Sequence, residues 1–260
     1  MNHLRQREEV IALPRPNRIK RGWMPLRVVS ITADTHDTKT FSFVDAEAGG
    51  RQFDYHAGQY LTFRFDNFNG KPLARSYTIS SSPCQADHVS ITVKKTTGGK
   101  VSNWVYDNLQ VGSVLRARGA LGKFCYDPET DQQHLYMIAA GSGITPFLSI
   151  SRQLMLSHAS SPQVMSLLVS YRSTQDLIGW QELTQFARQP RFNLHATLTG
   201  ETHPDFMQGR VNAELLAQVI PQSKAITFML CGPEAFMQTV SDYLIGQGVA
   251  LANIKLESFA

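Results

Sequence analysis

The sequence predicts two domains, an antiparallel β-barrel followed by a doubly wound α/β domain built on a parallel sheet. Three observations lead to this prediction. Between residues 23 and 126, short stretches in which polar and apolar residues alternate are separated by turn residues. Beyond a polar stretch at 127–131, short apolar runs alternate with helical patterns. The chain of 260 residues is long enough for two medium-sized domains, and this boundary gives 23–128 and 129–260.

Each predicted element follows from hydrophobic periodicity and from turn residues at its ends. The barrel strands are predicted over residues 26–29, 40–44, 60–65, 76–79 and 89–93, with one helix over 101–109. In the second domain, buried strands are predicted over 135–139, 164–170, 192–198 and 226–230. Helices are predicted between and after these strands, over 145–156, 180–187, 212–219 and 234–245.

Composition excludes several classes of function. Residues 1–22 form a polar, basic arm without the apolar middle of a secretory signal, and no apolar run reaches the roughly eighteen residues of a membrane span. The three cysteines are an odd number without metal-ligand spacing, so we expect free thiols in the cytoplasm. The eight histidines are scattered and the basic arm lacks aromatic residues, so we expect neither a metal site nor nucleic-acid binding. We also expect a monomer.

A Gly-Ser-Gly turn joins the strand predicted over 135–139 to the following helix. Gly141 and Gly143 allow a backbone to approach a phosphate closely, and the amides at a helix N-terminus attract anions. Pro146 stands where the usual dinucleotide fingerprint has its third glycine, so this is not the ordinary dehydrogenase pattern. Taken alone, the motif also fits a tight strand–helix turn that binds nothing.

Two other catalytic motifs are excluded. A phosphate-binding Walker loop needs Ser or Thr after its lysine, and Lys100 is followed by Val101. A nucleophile elbow needs glycine two residues before the serine, and Ser142 has Ala140 there. Ser142 is therefore a poor candidate for a nucleophile.

Three further segments carry candidate chemistry. In the strand predicted over 76–79, Arg75 and Tyr77 share one face, which offers a cation for a phosphate and an aromatic ring for stacking. Residues 97–102 precede a helix, where Ser102 suits a cap and free amides suit a pyrophosphate. A strand ends at Cys231, and ligands bind at the carboxyl ends of parallel strands. Each segment alone also fits an ordinary structural role.

These segments, in this order, resemble the ferredoxin–NADP reductase-like superfamily over about residues 23–260. The chain looks most like NADH oxidoreductases of hybrid-cluster proteins and reductase components of oxygenases and desaturases. Five motifs of the family are matched, at Arg75, Tyr77 and Thr78, at Gly99, Val101 and Ser102, from Gly141 to Pro146, from Cys231 to Pro233, and at Glu257 and Phe259.

The resemblance implies a role for each matched motif. Arg75 and the amides near Ser102 are expected at the flavin pyrophosphate, Tyr77 against the isoalloxazine ring and Thr78 near its N5 atom. Cys231 is expected beside the nicotinamide, and Phe259 over the flavin. The implied cofactor-binding set is Arg75, Ser76, Tyr77, Thr78, Lys100, Val101, Ser102, Gly141, Gly143, Thr145, Arg172, Cys231, Gly232 and Pro233, and the implied catalytic set is Thr78, Cys231, Glu257 and Phe259.

The same resemblance implies the cofactors. FAD is favoured over FMN, and NADH over NADPH. After the second strand of the parallel sheet, Arg172 suits a 2′-phosphate whereas Asp176 would repel one, so NADPH stays an alternative.

The implied reaction moves a hydride from the nicotinamide to the flavin and then single electrons to an iron–sulfur acceptor. Relatives carry a [2Fe–2S] domain, but Cys84, Cys125 and Cys231 lack its spacing. The expected partner is therefore a separate [2Fe–2S] ferredoxin or a domain of a longer chain, with a hybrid-cluster or oxygenase-type acceptor. Two alternatives remain: a diaphorase that reduces free flavin, quinone or haem, and a non-enzymatic flavin-binding electron carrier.

Overall fold

The computed structural model describes residues 22–259 except 48–52, 69–70, 86, 158–161 and 224. The predicted basic arm over residues 1–22 lies outside the described residues except for Gly22. Within the described part of the chain, no helix is long and apolar enough to cross a membrane.

The first domain is an antiparallel sheet of six strands in the order β4-β3-β6-β1-β2-β5. Its edge strands meet through a bridge between Ile79 and Ile91 and a hydrogen bond from the Ser80 amide to the Ser90 carbonyl (2.8 Å), which close the barrel. The elements are β1 Met24–Thr35, β2 Thr38–Asp45, β3 Tyr60–Phe68, β4 Lys71–Thr78, β5 Val89–Lys94, α1 Lys100–Asn108 and β6 Val114–Leu121.

Strand β6 is absent from the sequence prediction, which gave the barrel five strands. Its sequence looks unlike a half-buried strand because it carries two arginines and a glycine, and its buried side is small. Ala117 packs inside the barrel while its neighbours Arg116 and Arg118 are exposed. The strand completes the barrel by pairing with both β3 and β1.

The second domain is a sheet of six parallel strands in the order β10-β9-β8-β7-β11-β12. The fold class predicted from the sequence is therefore confirmed, although the short strands β10 and β12 were not predicted. The strands are β7 His134–Ala140, β8 Val164–Tyr171, β9 Phe192–Leu198, β10 Met207–Gln208, β11 Thr227–Cys231 and β12 Ile254–Glu257. The α-helices are α2 Thr145–Leu156, α3 Trp180–Phe186, α4 Ala213–Val219 and α5 Glu234–Gly246.

Both faces of this sheet are covered by helices, because successive residues of a strand point to opposite sides. In β7, Leu135 and Met137 belong to the hydrophobic cluster that also contains residues of α2 and α3. Tyr136 and Ile138 belong to a second cluster, which contains residues of α4 and α5. The uninterrupted apolar character of β7 follows from burial on both sides.

The two domains pack against each other through α2. The Ser149 hydroxyl donates to the Ser81 carbonyl (2.6 Å), and Phe147 packs against Phe124 with ring centroids 5.8 Å apart. Arg152 joins the same contact, since it donates to the Ser80 carbonyl and to the carboxylate of Glu182. This packing brings the turn between β7 and α2 against strands β4 and β5.

The strand order of the parallel sheet reverses between β7 and β11, and open α/β sheets bind ligands at the carboxyl ends of the strands at such a point. The ends of β7, β11 and β12 lie side by side there, as shown by the pairing of Cys231 with both Ala139 and Glu257. The fold therefore exposes this edge of the sheet to the barrel.

Candidate functional site

A cavity of about 560 Å³ lies between the barrel and the parallel sheet. Its walls come from β4, the segment that joins β5 to α1, the turn after β7, and the carboxyl-terminal residues. The predicted site residues on these walls are Arg75, Ser76, Tyr77, Thr78, Lys100, Val101, Ser102, Thr145 and Phe259. The structure thus brings together residues from four motifs that are far apart in the sequence.

Strand β4 supplies a cation, an aromatic ring and a hydroxyl. The Arg75 side chain is exposed, and its guanidinium donates to the Ala74 carbonyl at 2.7 Å. Tyr77 packs edge-on against Phe63, with ring centroids 6.2 Å apart, and burial raises the pKa of Tyr77 to about 12. The phenol is therefore neutral at physiological pH, and its ring is fixed by the barrel core. Thr78 is buried at the end of the strand.

The amino terminus of α1 faces the cavity without a side-chain cap. The helix begins at Lys100 with Gly99 as its N-cap residue, so the expectation that Ser102 caps it is wrong. Ser102 lies inside the first turn, and its hydroxyl hydrogen-bonds the Thr96 hydroxyl at 2.9 Å. Because the first amides of a helix have no partner within it, this terminus suits a phosphate.

Position 99 has little room for a side chain. A Cβ atom there would lie 2.1 Å from the Thr96 Oγ1 atom and 2.4 Å from the Ser102 Oγ atom. Only a residue without a side chain lets the two hydroxyls meet beneath the helix terminus. The resulting cradle of backbone amides and hydroxyls fits an anionic group of a bound cofactor.

The turn after β7 is tightly packed against the turn after β11. A Cβ atom on Gly143 would lie 2.2 Å from the Cys231 carbonyl oxygen, so this contact also requires glycine. Gly141 adopts a positive φ of 54° as the chain leaves the strand. Ser142 and Thr145 both line the cavity, and the Thr145 hydroxyl donates to the Ser142 carbonyl at 3.1 Å.

Ser142 is a site residue that the sequence prediction missed. The sequence indicates only that Ser142 is a poor candidate for a nucleophile. The structure places Ser142 on the wall of the cavity. Its position between two glycines in a strand–helix turn was the available signal, since such turns present their middle residue to a bound phosphate.

The carboxyl ends of β11 and β12 place a thiol beside a carboxyl group. Cys231 is fully buried, and burial together with the nearby Glu257 raises the pKa of the Cys231 thiol. Burial also raises the pKa of the Glu257 carboxyl above its ordinary value. Next to them, Gly232 packs against Ala140 and Phe236, and Pro233 is the N-cap residue of α5.

A second cavity, of about 360 Å³, shares Arg75, Ser76, Thr78 and Phe259 with the first. It is completed by Glu257 and by Tyr60 and Ser258, two residues that the sequence prediction did not include. Phe259 is 45% exposed and lines both cavities, so its ring lies between them.

Comparison with known protein families matches two consecutive models to this chain. An oxidoreductase FAD-binding domain matches residues 25–126, and an oxidoreductase NAD-binding domain matches residues 137–242. The chain belongs to the ferredoxin reductase-like flavoproteins. The chain therefore carries an FAD-binding and an NAD-binding domain of the oxidoreductase type.

Individual relatives agree with this assignment. This chain is 33% identical over 240 residues to the glycine betaine monooxygenase reductase subunit of Pseudomonas aeruginosa. The match covers 90% of this chain and 63% of that protein. It is 30% identical to the ferredoxin reductase component of 3-ketosteroid-9-alpha-monooxygenase from Rhodococcus rhodochrous, covering 90% and 64%. The chain thus spans somewhat less than two thirds of the length of these relatives.

A solved structure similar to this chain is the FAD/NAD binding domain of nitric oxide dioxygenase from Vibrio cholerae O1 biovar El Tor. The two share 27% identity and superpose with a TM-score of 0.81, covering 91% of this chain and 98% of that one.

Arg172, another predicted site residue, lies apart from the two cavities. It follows β8 at the same edge of the sheet and is exposed. Asp176 does not face a ligand freely, because its carboxylate accepts hydrogen bonds from the Ser173 hydroxyl (2.6 Å) and from Lys94 (3.0 Å). The expected repulsion of a 2′-phosphate by Asp176 is therefore weakened by the adjacent lysine.

Proposed function

We propose that the reductase takes a hydride from NADH and passes electrons one at a time to an acidic [2Fe–2S] protein or domain. The observation that carries the proposal is the junction of the two cavities at Thr78 and Phe259, where strand β4 faces the carboxyl ends of β7 and β12. Bound FAD supplies the conversion between a two-electron hydride and single electrons.

In the flavin half, which we propose spans residues 23–128, Arg75 and the uncapped amides of α1 hold the pyrophosphate. Tyr77 would offer its ring to the flavin, since its packing on Phe63 and its neutral phenol keep it in place. Thr78 would offer its hydroxyl to the same ring. Ser76, Lys100, Val101 and Ser102 complete this half.

In the nicotinamide half, over residues 129–260, the turn with Gly141, Gly143 and Thr145 holds the dinucleotide pyrophosphate. Cys231 and Glu257 lie where the nicotinamide is expected, and Gly232 and Pro233 shape the turn beside them. The thiol is neutral because its pKa is raised. A neutral thiol places no fixed negative charge beside a hydride in transit. Phe259 covers the flavin until the nicotinamide displaces its ring.

The preference for NADH is supported by the surroundings of Arg172. The Glu201 carboxylate accepts a hydrogen bond from the Thr174 amide (2.7 Å), which brings a carboxylate to the segment just after β8. A carboxylate at this edge repels a 2′-phosphate and can accept hydrogen bonds from ribose hydroxyls. We propose that the negative charge of Glu201 offsets the positive charge of Arg172, so that NADH is used more efficiently than NADPH.

The outer face of the barrel supports an acidic protein partner. Arg116 pairs with Arg64 and Arg118 with Thr62 on β3, which in turn pair with Ala74 and Ser76 on β4. Since neighbouring strands are about 4.8 Å apart, the backbone of Arg116 and Arg118 lies roughly 10 Å, and that of Arg64 roughly 5 Å, from the β4 backbone that lines the second cavity. The three arginines form a positive patch, which we call the arginine face.

Part of this charge is balanced, because Asp66 pairs with Arg64 at 2.6 Å. Arg118 lies over the ring of Trp23, with its guanidinium carbon 5.2 Å from the ring centroid. A positive patch beside an electron-exit site steers an acidic partner and makes the association rate depend on salt. The name of the Rhodococcus relative, a ferredoxin reductase component, is compatible with such a partner.

We place the reaction in the cytoplasm, where thiols stay reduced. All three cysteines, Cys84, Cys125 and Cys231, are free.

The test uses the FAD-loaded reductase with NADH, and compares an acidic [2Fe–2S] ferredoxin with a neutral quinone as acceptor. The rate of ferredoxin reduction is expected to fall with added salt. It should also fall about tenfold when Arg116 and Arg118 are both replaced by glutamine, because the positive charge that attracts the acidic partner is lost. Quinone reduction and the control Arg188→Gln, an exposed arginine on the other domain, should change little. Turnover with quinone but not with ferredoxin would support the diaphorase alternative instead.

A further inference from the structure

A cluster of three charged side chains crosses the boundary between the two domains. The Lys94 ammonium, at the end of β5, lies 2.7 Å from the Asp37 carboxylate and 3.0 Å from the Asp176 carboxylate. Asp37 belongs to the barrel, whereas Asp176 follows β8 in the parallel sheet. The side chains of Lys94, Asp37 and Asp176 are only 21%, 23% and 14% exposed.

The cluster is anchored at both ends within the functional region. Lys94 lines the larger cavity together with the neighbouring Thr92 and Val93. Asp176 is held by Ser173, whose hydroxyl and amide both donate to its carboxylate at 2.6 and 3.1 Å. This segment leaves β8 at the edge of the sheet where the dinucleotide binds. The ion pair between Lys94 and Asp176 therefore connects the wall of the flavin cavity to the edge of the sheet where we expect the nicotinamide dinucleotide.

The three groups are charged together. Burial disfavours the charge on Lys94, but its hydrogen bonds to Asp37 and Asp176 outweigh burial and raise the pKa of Lys94. Burial likewise disfavours the charges on Asp37 and Asp176, yet their hydrogen bonds lower the pKa of both carboxyls. Because these charges are largely buried, replacing Lys94 leaves two carboxylates uncompensated, which is more costly than losing a surface ion pair.

A metal site and a purely local ion pair both fit the cluster less well. His36, Asp37 and Asp176 are close enough to hold a cation, but the Lys94 ammonium already occupies the space between the two carboxylates. A local role fits Lys95, the next residue, which pairs with Asp107 of the same domain at 2.8 Å. Lys94 differs because its second partner belongs to the other domain.

A second contact crosses the domain boundary at the same place. The His36 ring lies 3.2 Å from the Gln175 carbonyl, and each of these residues is the chain neighbour of one of the two aspartates. The segment after β8 therefore meets the barrel at two adjacent points.

We propose that Lys94 and Asp176 are positioning residues for hydride transfer. The pair holds the segment after β8 against the barrel, and so fixes the nicotinamide half at the distance and angle that the reaction needs. This inference rests on the proposed function of the site. Displacing reacting atoms by about 1 Å can slow a reaction by up to roughly 100-fold, so a small shift between the domains is enough to matter.

The test measures anaerobic flavin reduction after rapid mixing of the FAD-loaded reductase with saturating NADH. Lys94→Gln and Asp176→Asn are each expected to slow this step between about 10- and 100-fold. The double variant should be no slower than the slower single variant, because both substitutions break one connection. Lys95→Gln, at the residue next to Lys94, is the matched control, and it should stay within about twofold of the unmodified protein.

A second readout separates positioning from direct contact with a ligand. Hydrogen–deuterium exchange of residues 171–178, measured before NADH is added, should become faster in Lys94→Gln and Asp176→Asn and not in Lys95→Gln. Flavin content and quinone reduction by dithionite-reduced protein should be unchanged in all three variants.

Wild-type rates in Asp176→Asn, or multiplied effects in the double variant, would overturn the positioning role, and so would loss of FAD. If the unmodified protein is itself not reduced by NADH, the proposed function fails rather than this inference alone.

Discussion

Arg75 and Tyr77 lie on the same strand in opposite surroundings, and this contrast suits their different tasks. The Arg75 guanidinium is exposed and bonded only locally, so it is available to a phosphate. The Tyr77 ring is held by the barrel core and keeps its phenol neutral. A cation must reach out to a flexible anion, whereas a stacking surface works best when it is rigid.

Arg75→Ala is expected to weaken FAD binding by about tenfold or more, because a hydrogen bond to a charged group contributes about 1.5–3 kcal/mol. FAD affinity can be measured by recovery of flavin fluorescence on dilution. Lys71→Ala removes another exposed cation from the same strand and is the control, since Lys71 lies at the far end of β4. Equal flavin retention in both variants would disprove the role of Arg75.

Cys231→Ala should slow reduction of the flavin by NADH while FAD stays bound. The side chain ends β11 beside Glu257, at the edge of the sheet rather than on the walls of the flavin cavity. Rapid-mixing absorbance measures the first effect, and the ratio of flavin to protein measures the second. Cys84→Ala, which changes an exposed cysteine, should leave both quantities unaltered. Normal reduction in Cys231→Ala would remove Cys231 from the site.

Glu257→Gln should stabilise the fold relative to the unmodified protein, and this stabilisation should increase as the pH rises. Burial raises the pKa of Glu257 in the folded state, so the folded protein binds its proton more tightly than the unfolded chain does. The contribution of Glu257 is therefore complete below its ordinary value of 4.5 and is lost as the pH rises through the folded-state pKa. Gln does not titrate, so the difference in Tm between variant and unmodified protein should grow across that range.

Thermal unfolding at several pH values between about 4.5 and 8 measures this difference, starting from the ordinary pKa of a glutamate. Glu129→Gln serves as the control for the general loss of one negative charge, because Glu129 is exposed. A pH-independent difference for Glu257→Gln would contradict the raised pKa.

At the scale of elements, the site depends on turns that approach one another closely. The turns after β7 and β11 touch at Gly143, and the terminus of α1 closes over Gly99. A Cβ atom at Gly143 would clash with backbone, and one at Gly99 would displace two hydroxyls, so both turns present backbone rather than side chains. Steric crowding, and not only conformational freedom, therefore explains why glycine occupies these two positions.

Gly143→Ala is expected to destabilise the protein by about 1–3 kcal/mol, the usual cost of forcing an extra group into a packed region. It should also weaken NADH binding, because the turn must move away from Cys231. Chemical denaturation and NADH titration measure the two effects. Gly246→Ala is the opposite control: no atom lies within 4 Å of a Cβ there, and the residue is helical. Alanine should stabilise that helix by up to about 1 kcal/mol.

The sequence predicts long, strongly patterned elements well and short or charged ones poorly. The parallel strands β7, β8, β9 and β11 were predicted because they are largely apolar, and β7, β8 and β11 are buried on both faces. Strand β6 was missed because its outward positions are arginines, and β12 because four residues carry too little pattern. The cap assigned to Ser102 was wrong because the helix begins at Lys100, with Gly99 as its N-cap residue.

Local motifs of the site were likewise predictable, whereas contacts between distant residues were not. The turn at Gly141 and the segment 75–78 have recognisable patterns of neighbours. The bonds from Lys94 to Asp37 and Asp176 join residues 57 and 82 positions apart, and no pattern along the chain specifies them. Such pairs become visible only when the two domains are placed together.

In the proposed function, hydride enters and electrons leave on either side of strand β4. The nicotinamide half approaches β4 from the parallel sheet, and the arginine face lies on the outer side of the barrel beyond the same strand. Helix α2 and the Lys94 cluster hold the two halves in register. This arrangement explains why a chain of two domains can supply alignment while a bound flavin supplies the chemistry.

We expect a nicotinamide bound at the carboxyl edge of the parallel sheet to deliver its hydride to a flavin held against β4. Anaerobic mixing of the FAD-loaded protein with NADH, followed by visible absorbance, measures this transfer. The flavin bands should bleach in a single fast phase, and that phase should slow when the transferred hydrogen of NADH is deuterium. Flavin bands that persist in the presence of excess NADH would contradict this claim.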